Sequence, residues 1–160
     1  MKVSVILVSL NEEKYIHIPL ESLRKQTYRD FETILVDAGS KDKTVEIAKH
    51  YEARIVVEPD AKRKGGIGYQ RNLGASLTRG EILAFTEADT LLPKNWIETI
   101  VEKFKSDPTL IAIAGPGYPY DAPMIGRIEY AVYNAIRYFL SLLPRSCRRF
   151  MSSGYNMAVR

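Results

Sequence analysis

The stretch Glu81-Ile-Leu-Ala-Phe-Thr-Glu-Ala-Asp89-Thr-Leu-Leu-Pro93 joins an apolar run to two carboxylates. The run predicts a buried strand, and Glu87 and Asp89 stand at its carboxyl end. Side chains at i and i+2 of an extended chain point to the same side, and open α/β sheets bind ligands at the carboxyl ends of their strands. Two carboxylates there favour Mg²⁺ or Mn²⁺, which complete their coordination with water and phosphate oxygens. Alternatively, Asp89 and Thr90 only shape the turn and cap the next helix.

Length and charge narrow the class of protein. The 160 residues suit one domain. An excess of 23 Lys and Arg over 19 Asp and Glu favours anionic partners such as nucleotides, phosphates or a membrane face. The cations are scattered along the chain, which disfavours a nucleic-acid-binding module. The single Cys147 fits a reducing compartment, so we expect a cytoplasmic protein. No apolar run approaches the roughly 18 residues of a membrane-spanning helix.

The first third of the chain alternates buried strands with helices. Strands are predicted at residues 3–9, 31–36 and 54–58, and the helix after the first strand is predicted to begin with Asn11 as its cap and to run to residue 26. A β-α-β-α-β order predicts a right-handed parallel α/β sheet. A further strand is predicted at residues 110–114.

The turns after these strands carry polar residues instead of a known phosphate-binding loop. Ser9-Leu-Asn-Glu12 stands where a dinucleotide-binding domain has Gly-x-Gly-x-x-Gly, and a P-loop is missing too. Asp37 follows the second strand, where a carboxylate can accept hydrogen bonds from a nucleobase or ribose. Alternatively, Asp37 or Ser40 only closes the turn.

Residues 60–68 combine three cations with three glycines. We predict a mobile loop in which Lys62, Arg63 and Lys64 fold over a diphosphate, because backbone amides and basic side chains both stabilise phosphate charge. Alternatively, these cations are simply solvated. Residues 69–76 then predict a helix.

Six segments, in order along the chain, share a pattern. They are Val3-Ser-Val-Ile-Leu-Val-Ser-Leu-Asn-Glu-Glu13, Leu23-Arg-Lys-Gln-Thr-Tyr28, Leu35-Val-Asp-Ala-Gly-Ser-Lys-Asp-Lys-Thr44, Gln70-Arg-Asn-Leu-Gly74, Glu87-Ala-Asp89 and Gly154-Tyr-Asn-Met-Ala-Val-Arg160. Together they resemble the nucleotide-binding part of glycosyltransferase family 2, which implies the GT-A fold: a mostly parallel, Rossmann-like α/β sheet flanked by helices. We expect one domain over residues 1–160, with a nucleotide-binding part at 1–93 and the start of an acceptor part at 94–160.

The resemblance also implies roles for individual residues. A UDP- or GDP-linked sugar donor would be bound by a set of six residues: Ser9, Asn11, Glu12, Asp37, Arg71 and Glu87. Asp89 would be the principal ligand of Mn²⁺ or Mg²⁺, with Glu87 contacting ribose or metal. The chain departs from the family pattern at three positions. Val8 stands for a Pro, Ala38 for the second Asp of the turn, and Glu87 for the first Asp of the acidic motif.

Enzymes of the family are inverting, so an acceptor hydroxyl would attack opposite the leaving nucleoside diphosphate, usually with the help of a general base. In the family that base follows the Gly-x-Asn segment, whereas this chain stops at Arg160, and neither Asp107 nor Asp121 is assigned to the role. We therefore expect a glycosyltransferase with a truncated acceptor part. The alternative is a non-catalytic sugar-nucleotide-binding domain. A nucleotidylyltransferase is disfavoured because a Gly-rich loop with an Arg does not follow the first strand.

Residues 125–143 predict an amphipathic helix, followed by Arg145, Arg148 and Arg149. Its apolar face has three alternative partners. It can pack on the sheet, pair with a second copy in a homodimer, or lie on the cytoplasmic face of an anionic membrane. The membrane alternative suits a polyprenyl phosphate acceptor, whereas a glycan acceptor needs no membrane contact.

Overall fold

A computed structural model describes residues 1–119, 122–142 and 156–160 of the protein. These residues form six strands and six helices. In chain order they are β1 (Val3–Ser9), α1 (His17–Arg24), β2 (Phe31–Asp37), α2 (Thr44–Ala48), β3 (Arg54–Val57), α3 (Ala61–Lys64), α4 (Gly66–Ser76), β4 (Ile82–Glu87), α5 (Trp96–Ser106), β5 (Ala112–Ala114), α6 (Met124–Ser141) and β6 (Met157–Val159).

The strands form one sheet in the order β3-β2-β1-β4-β6-β5. β1 pairs in parallel with β2 and β4, and β2 pairs in parallel with β3. β6 runs antiparallel between β4 and β5. The predicted α/β class and the parallel β1 to β4 core are confirmed, whereas β6 is a strand that the sequence pattern did not indicate. Within the sheet, β2 and β3 lie on one side of β1, and β4 lies on its other side.

The central strand is buried along its whole length, as its continuous apolar run predicted. All seven residues of β1 are buried, and five of the seven in β2 are. α4 crosses this sheet very closely at Gly74, where a Cβ atom would lie 2.5 Å from Cγ2 of Ile6. A side chain at this position would clash with Ile6, so Gly74 allows α4 to pack close against β1 and β2.

Most of the segment 60–68 is helical, where the sequence predicted a mobile loop. α3 and the start of α4 occupy this segment, and two glycines with positive φ separate them, Gly65 at 130° and Gly66 at 63°. The glycines therefore make the bend between two helices. Whether the segment moves on ligand binding stays a prediction.

Asn11 does not cap the first helix, which corrects a second expectation. α1 begins six residues later, with Ile16 at its N-cap and no side-chain cap. Asn11 instead adopts a left-handed φ of 57°, its N–H donates to Ser40 Oγ at 2.8 Å, and its Oδ1 accepts from Lys41 N at 2.9 Å. The side chain therefore joins the turn after β1 to the turn after β2, which a single-sequence pattern cannot reveal.

α6 confirms the predicted helix, but its apolar face does not pack on the sheet, which was one of the three alternatives. Its polar side faces the protein instead: Asn134 and Arg137 donate to the carbonyl oxygens of Gly117 and Gly115 at 2.8 and 3.4 Å. The apolar side chains stay exposed among the described residues. They include Ile125, Ile128, Val132, Ile136 and Phe139. The predicted basic tail at Arg145 to Arg149 lies outside the described residues.

Candidate functional site at the carboxyl edge of the sheet

The polar residues predicted from separate motifs meet at one edge of the sheet. Ser9 is opposite Asp37 in the β1–β2 register, and Val8 is opposite Glu87 in the β1–β4 register. A cavity of about 300 Å³ opens at this edge. It is lined by Val8, Ser9, Leu10, Glu12, Ala38, Lys62, Gly66, Ile67, Gln70, Glu87, Ala88 and Asp89. Four of the predicted site residues, Ser9, Glu12, Glu87 and Asp89, are therefore neighbours in one cavity.

Asp37 is fully buried and holds the turn that follows β2. Its Oδ1 accepts from the backbone N–H groups of Gly39 and Ser40 at 2.9 and 2.7 Å. Its Oδ2 accepts from the hydroxyls of Ser9 and Ser40 at 2.7 and 2.5 Å. Four donors thus occupy the carboxylate, and Asp37 does not line the cavity. This is the turn-closing role left open by the sequence, and a direct contact with a nucleotide stays a prediction.

The turns after β1 and β2 are joined to each other by further hydrogen bonds. The N–H of Glu12 donates to Thr44 Oγ1 at 2.7 Å, and the N–H of Glu13 donates to Asp42 Oδ2 at 3.0 Å. Thr44 Oγ1 in turn donates to Asp42 Oδ1. The backbone of Glu12 is therefore fixed while its side chain remains at the cavity.

Three carboxylates concentrate negative charge at the cavity. Burial raises the pKa of Glu12, and the charges of Asp89, Asp42 and Glu87 raise it further. Burial likewise raises the pKa of Glu87, with Asp89 adding to the rise and the Arg71 guanidinium opposing it. Arg71 donates to Glu87 Oε1 at 2.8 Å. A cation bound here would relieve this repulsion.

The donor set fits a divalent ion that takes most of its ligands from elsewhere. No three His, Cys, Asp or Glu side chains of the described residues are arranged to hold a metal by themselves. Asp89 is exposed at the cavity, whereas Glu87 is tied to Arg71. One or two carboxylates with water and phosphate oxygens are the usual ligands of Mg²⁺. The residues present therefore suit an ion that arrives with a phosphate-bearing ligand.

Of the three cations of α3, Lys62 is the one that lines the cavity. Arg63 pairs with Asp60 at 3.2 Å, and Lys64 pairs with Glu58 at 3.0 Å. The structure therefore separates residues that the sequence left equivalent. Two of the cations are paired with nearby carboxylates, and the third lines the cavity.

Gln70 is a cavity residue that sequence reasoning missed. Its side chain is 4% exposed, and its Nε2 donates to the carbonyl oxygens of Ser9 at 3.1 Å and Val36 at 2.9 Å. It thereby joins the ends of β1 and β2. The signal in the sequence was that Gln70 opens one of the six quoted segments, Gln70-Arg-Asn-Leu-Gly74.

A second cavity of about 920 Å³ adjoins the first one, since Glu87 and Asp89 line both. Its other walls come from α5, β5, the loop at residues 115–119 and α6, and include Trp96, Tyr118 and Tyr130. Asn156 fixes two of these walls, because its Oδ1 accepts from Trp96 Nε1 and its Nδ2 donates to Pro116 O, both at 2.9 Å.

Of the two carboxylates considered as a base, the described part of the chain contains Asp107, which lies away from these cavities. Asp107 accepts hydrogen bonds from the N–H and hydroxyl of Thr109 at 2.9 and 2.6 Å, in the turn after α5. It lines neither of the two cavities. Asp121 lies outside the described residues.

Comparison with known proteins identifies the family. Residues 4–158 match the sequence profile described as Glycosyl transferase family 2. The chain belongs to glycosyl transferase family 2. A family 2 relative, glycosyltransferase GlyG of Streptococcus pneumoniae serotype 4, is 33% identical over 122 residues, which cover 74% of this chain and 40% of the relative. The glucosyl-dolichyl phosphate glucuronosyltransferase of Haloferax volcanii is 30% identical over 122 residues, covering 74% and 39% of the two chains.

Solved structures confirm the predicted GT-A fold. The mannosyltransferase PcManGT from Pyrobaculum calidifontis, solved with GDP-Man and Mn²⁺, superposes with a TM-score of 0.73 at 24% identity and covers 99% of this chain and 44% of its own. Residues 1–349 of Staphylococcus aureus TarS, solved with UDP, superpose with a TM-score of 0.67 at 25% identity, covering 78% and 38%. The chain spans about 40% of the length of the curated family 2 relatives named above.

Proposed function

We propose that this chain forms the donor-binding part of an inverting glycosyltransferase that uses a UDP- or GDP-linked sugar. The observation that carries the proposal is the cavity of about 300 Å³ at the carboxyl edge, which brings Ser9, Glu12, Glu87 and Asp89 together. Relatives with known ligands support it, since TarS was solved with UDP and PcManGT with GDP-Man.

The cavity has two chemically different ends. One end lies between β1 and β2, where Ser9, Ala38 and Gln70 offer a neutral surface. The other lies beyond β4, where Glu87 and Asp89 carry negative charge. A nucleoside diphosphate fits with its base at the neutral end and its phosphates, with a divalent ion, at the acidic end.

Asp89 would be the principal ligand of Mn²⁺ or Mg²⁺ and Glu87 a second one. The bound ion would neutralise the charge that develops on the leaving diphosphate. Arg71 holds the Glu87 carboxylate at 2.8 Å and so orients it at the cavity. Asp37 keeps the Ser9 hydroxyl and the Gly39 turn in place around the neutral end.

Lys62, which lines the cavity from α3, would contribute positive charge to the diphosphate. Its effect can be isolated because Arg63, its neighbour on α3, is paired with Asp60. We expect Lys62→Met to weaken UDP or GDP binding by several-fold, with a difference that shrinks at high salt. Arg63→Met is the matched control and should bind as the unchanged protein does, as measured by calorimetry at two salt concentrations.

The acceptor would enter through the adjoining cavity of about 920 Å³, which shares Glu87 and Asp89 with the donor cavity. Its lining is largely apolar and aromatic, with Trp96, Tyr118 and Tyr130 among the wall residues. Such a wall suits a sugar ring or a polyprenyl phosphate, the two acceptor classes considered. No described residue is assigned as the general base.

We further propose that α6 contacts an anionic membrane surface. Ile125 and Phe139 are 71% and 67% exposed on its apolar side, and the 31 residues from Tyr130 to Arg160 contain five Arg and no Asp or Glu. Apolar exposure beside an excess of positive charge in the sequence is typical of helices that lie on anionic bilayers. No helix in the described part of the chain is both long and apolar enough to cross a membrane. Vesicle co-sedimentation tests this: binding to anionic but not neutral vesicles is expected, and a dimer without vesicle binding would contradict it.

Titration of a nucleotide panel tests the central proposal. Calorimetry with UDP, GDP, CDP and ADP, with and without Mn²⁺, should find binding of UDP or GDP that Mn²⁺ strengthens. Asp89→Ala should remove the gain from Mn²⁺ and leave metal-free binding. Asp30→Ala changes an exposed carboxylate at the opposite edge of the sheet and should keep the gain. Binding that is unaffected by Mn²⁺, or a gain retained in Asp89→Ala, would contradict the assignment of the metal ligand.

A further inference from the structure

The orientation of the Gln70 amide is fixed by its backbone partners. Two carbonyl oxygens, of Ser9 and Val36, accept from the same side-chain nitrogen. Carbonyl oxygens only accept hydrogen bonds, so the group facing them has to be the NH₂ of the amide. The other terminal atom of Gln70 is therefore the oxygen, which only accepts.

That oxygen has no donor in the described part of the chain, although the side chain is 96% buried. Among the described residues, the fully enclosed polar side-chain atoms without a partner are Arg71 Nε, Thr86 Oγ1 and Asn134 Oδ1. The Gln70 oxygen is not one of them. The oxygen therefore keeps contact with open space. Because Gln70 lines the cavity, that space is the cavity itself.

We propose that the amide oxygen of Gln70 reads the nucleobase of the donor by accepting its ring N–H. The inference rests on the proposed function, since it assumes that a nucleotide occupies the cavity. Gln70 bridges β1 and β2, on the side of the cavity away from Glu87 at the end of β4. With the phosphates beside Asp89, the base is the part of the nucleotide that reaches Gln70.

An acceptor at this position selects among bases. Uracil at N3 and guanine at N1 present a ring N–H, whereas cytosine at N3 and adenine at N1 present a lone pair that would face the lone pairs of the oxygen. A buried acceptor left without a donor weakens binding by roughly tenfold or more. Asp37 cannot share this task as the turn stands, because four donors already occupy its carboxylate.

A cycle of ligand and protein changes tests the contact. UDP and GDP are compared with N3-methyl-UDP and N1-methyl-GDP, which lack the ring N–H, in the unchanged protein, Gln70→Ala and Ile67→Ala. Thermal melting checks that the Gln70→Ala variant is folded. Ile67 is the control because it lines the same cavity from α4 without a polar side-chain atom.

The expected result has three parts. Methylation weakens binding to the unchanged protein by roughly tenfold or more. Gln70→Ala binds the parent and methylated nucleotides with similar affinity, and Ile67→Ala keeps the discrimination even where its affinity is lower. If methylation has no effect, or if Gln70→Ala discriminates as well as the unchanged protein does, the inference is overturned. 2′-deoxy-UDP is measured in the same series: if its weaker binding depends on Gln70 and that of N3-methyl-UDP does not, the oxygen contacts the ribose and the inference is overturned. Absence of UDP and GDP binding by the unchanged protein would instead overturn the proposed function.

Discussion

The parallel sheet carries the same hydrogen bond at both of its ends, with different consequences. At the amino end Ser4 donates to Glu32, and at the carboxyl end Ser9 donates to Asp37, each at 2.7 Å. Both pairs are register neighbours on β1 and β2. The residues around them differ: Glu32 and Ser4 also accept from the backbone N–H groups of Arg79 and Gly80 at 2.9 Å. The amino-end pair therefore fastens the connection from α4 to β4.

The carboxyl-end pair has an open cavity beside it. Asp37 uses its remaining capacity on its own turn, and Ser9 lines the cavity together with Gln70. Neither Ser4 nor Glu32 lines either of the two cavities. A hydrogen bond between a serine and a carboxylate on neighbouring strands is thus no sign of a site by itself. Such a pair contributes to a site only when the turns that it holds surround a cavity that a ligand can enter.

The largest expected difference between the two ends of the sheet is in the effect of glycine substitutions on stability. A Cβ at Gly80 would lie 2.6 Å from the backbone N of Ser4, and a Cβ at Gly39 would lie 3.0 Å from the Pro59 Cα, at a φ of 84°. We expect Gly80→Ala to lower the free energy of unfolding by about 2–4 kcal/mol, since backbone has to move. Gly39→Ala should cost about 1–2 kcal/mol, mostly from its backbone conformation.

Nucleotide affinity distinguishes the same two variants. Gly39→Ala displaces the turn beside the cavity and should weaken UDP or GDP binding, whereas folded Gly80→Ala should bind normally. Urea unfolding and calorimetry measure the two effects. Weaker nucleotide binding by fully folded Gly80→Ala would contradict the proposal that only the carboxyl end of the sheet contributes to binding.

The two serines provide a smaller and more closely matched test. Ser4→Ala and Ser9→Ala each remove a buried hydroxyl that donates to a carboxylate, so each should lower the free energy of unfolding by about 1–2 kcal/mol. Only Ser9→Ala should also weaken nucleotide binding. Equal affinities in the two variants would show that the Ser9 hydroxyl has no part in the site.

The pH dependence of stability tests the contribution of Glu32 at the amino end of the sheet. Burial alone would raise the pKa of Glu32, but the Ser4 hydroxyl, the Arg79 N–H and nearby positive charge lower it below its usual value. Because the folded pKa is below the unfolded one, Glu32 stabilises the fold above the unfolded pKa and loses this effect as the pH falls through the folded pKa. Glu32→Gln should cost about 0.5–1 kcal/mol at neutral pH. Unfolding curves at pH 7 and at a pH below the folded pKa should show this difference disappear.

The parts of the fold that local pattern controls were predictable from the sequence. β1 was predicted with its observed bounds because a continuous apolar run suits a strand buried on both faces. The acidic pair at residues 87 and 89 was predicted at the end of β4, because the apolar run of that strand stops there. β6 was missed, because three residues carry too little periodicity and its place between β4 and β5 depends on distant contacts.

The candidate site was predictable in its location but not in its hydrogen bonding. Asn11 carries a motif position, yet its side-chain bond to Lys41 arises only when two turns meet. Asp37 accepts locally from Gly39 and Ser40, as the turn-closing alternative supposed, but its bond with Ser9 depends on the pairing of β1 with β2. Likewise, the sequence could not tell Lys62 from Arg63, because the ion pair with Asp60 depends on the helix that forms there. The role of Gln70 could not be predicted, because its amide bonds to the ends of two strands whose relative position the sequence does not show.

Paramagnetic broadening by Mn²⁺ tests most directly the claim that a metal and a nucleoside diphosphate share the carboxyl-edge cavity. In ¹H–¹⁵N spectra, Mn²⁺ added with UDP or GDP should broaden the amide signals of residues 9–12, 66–70 and 87–90 and leave those of residues 2–4, 30–33 and 79–82 sharp. Mn²⁺ without nucleotide should broaden the first group less at the same concentration, and Asp89→Ala should abolish the difference. Broadening centred at the amino end, or equal with and without nucleotide, would contradict the account.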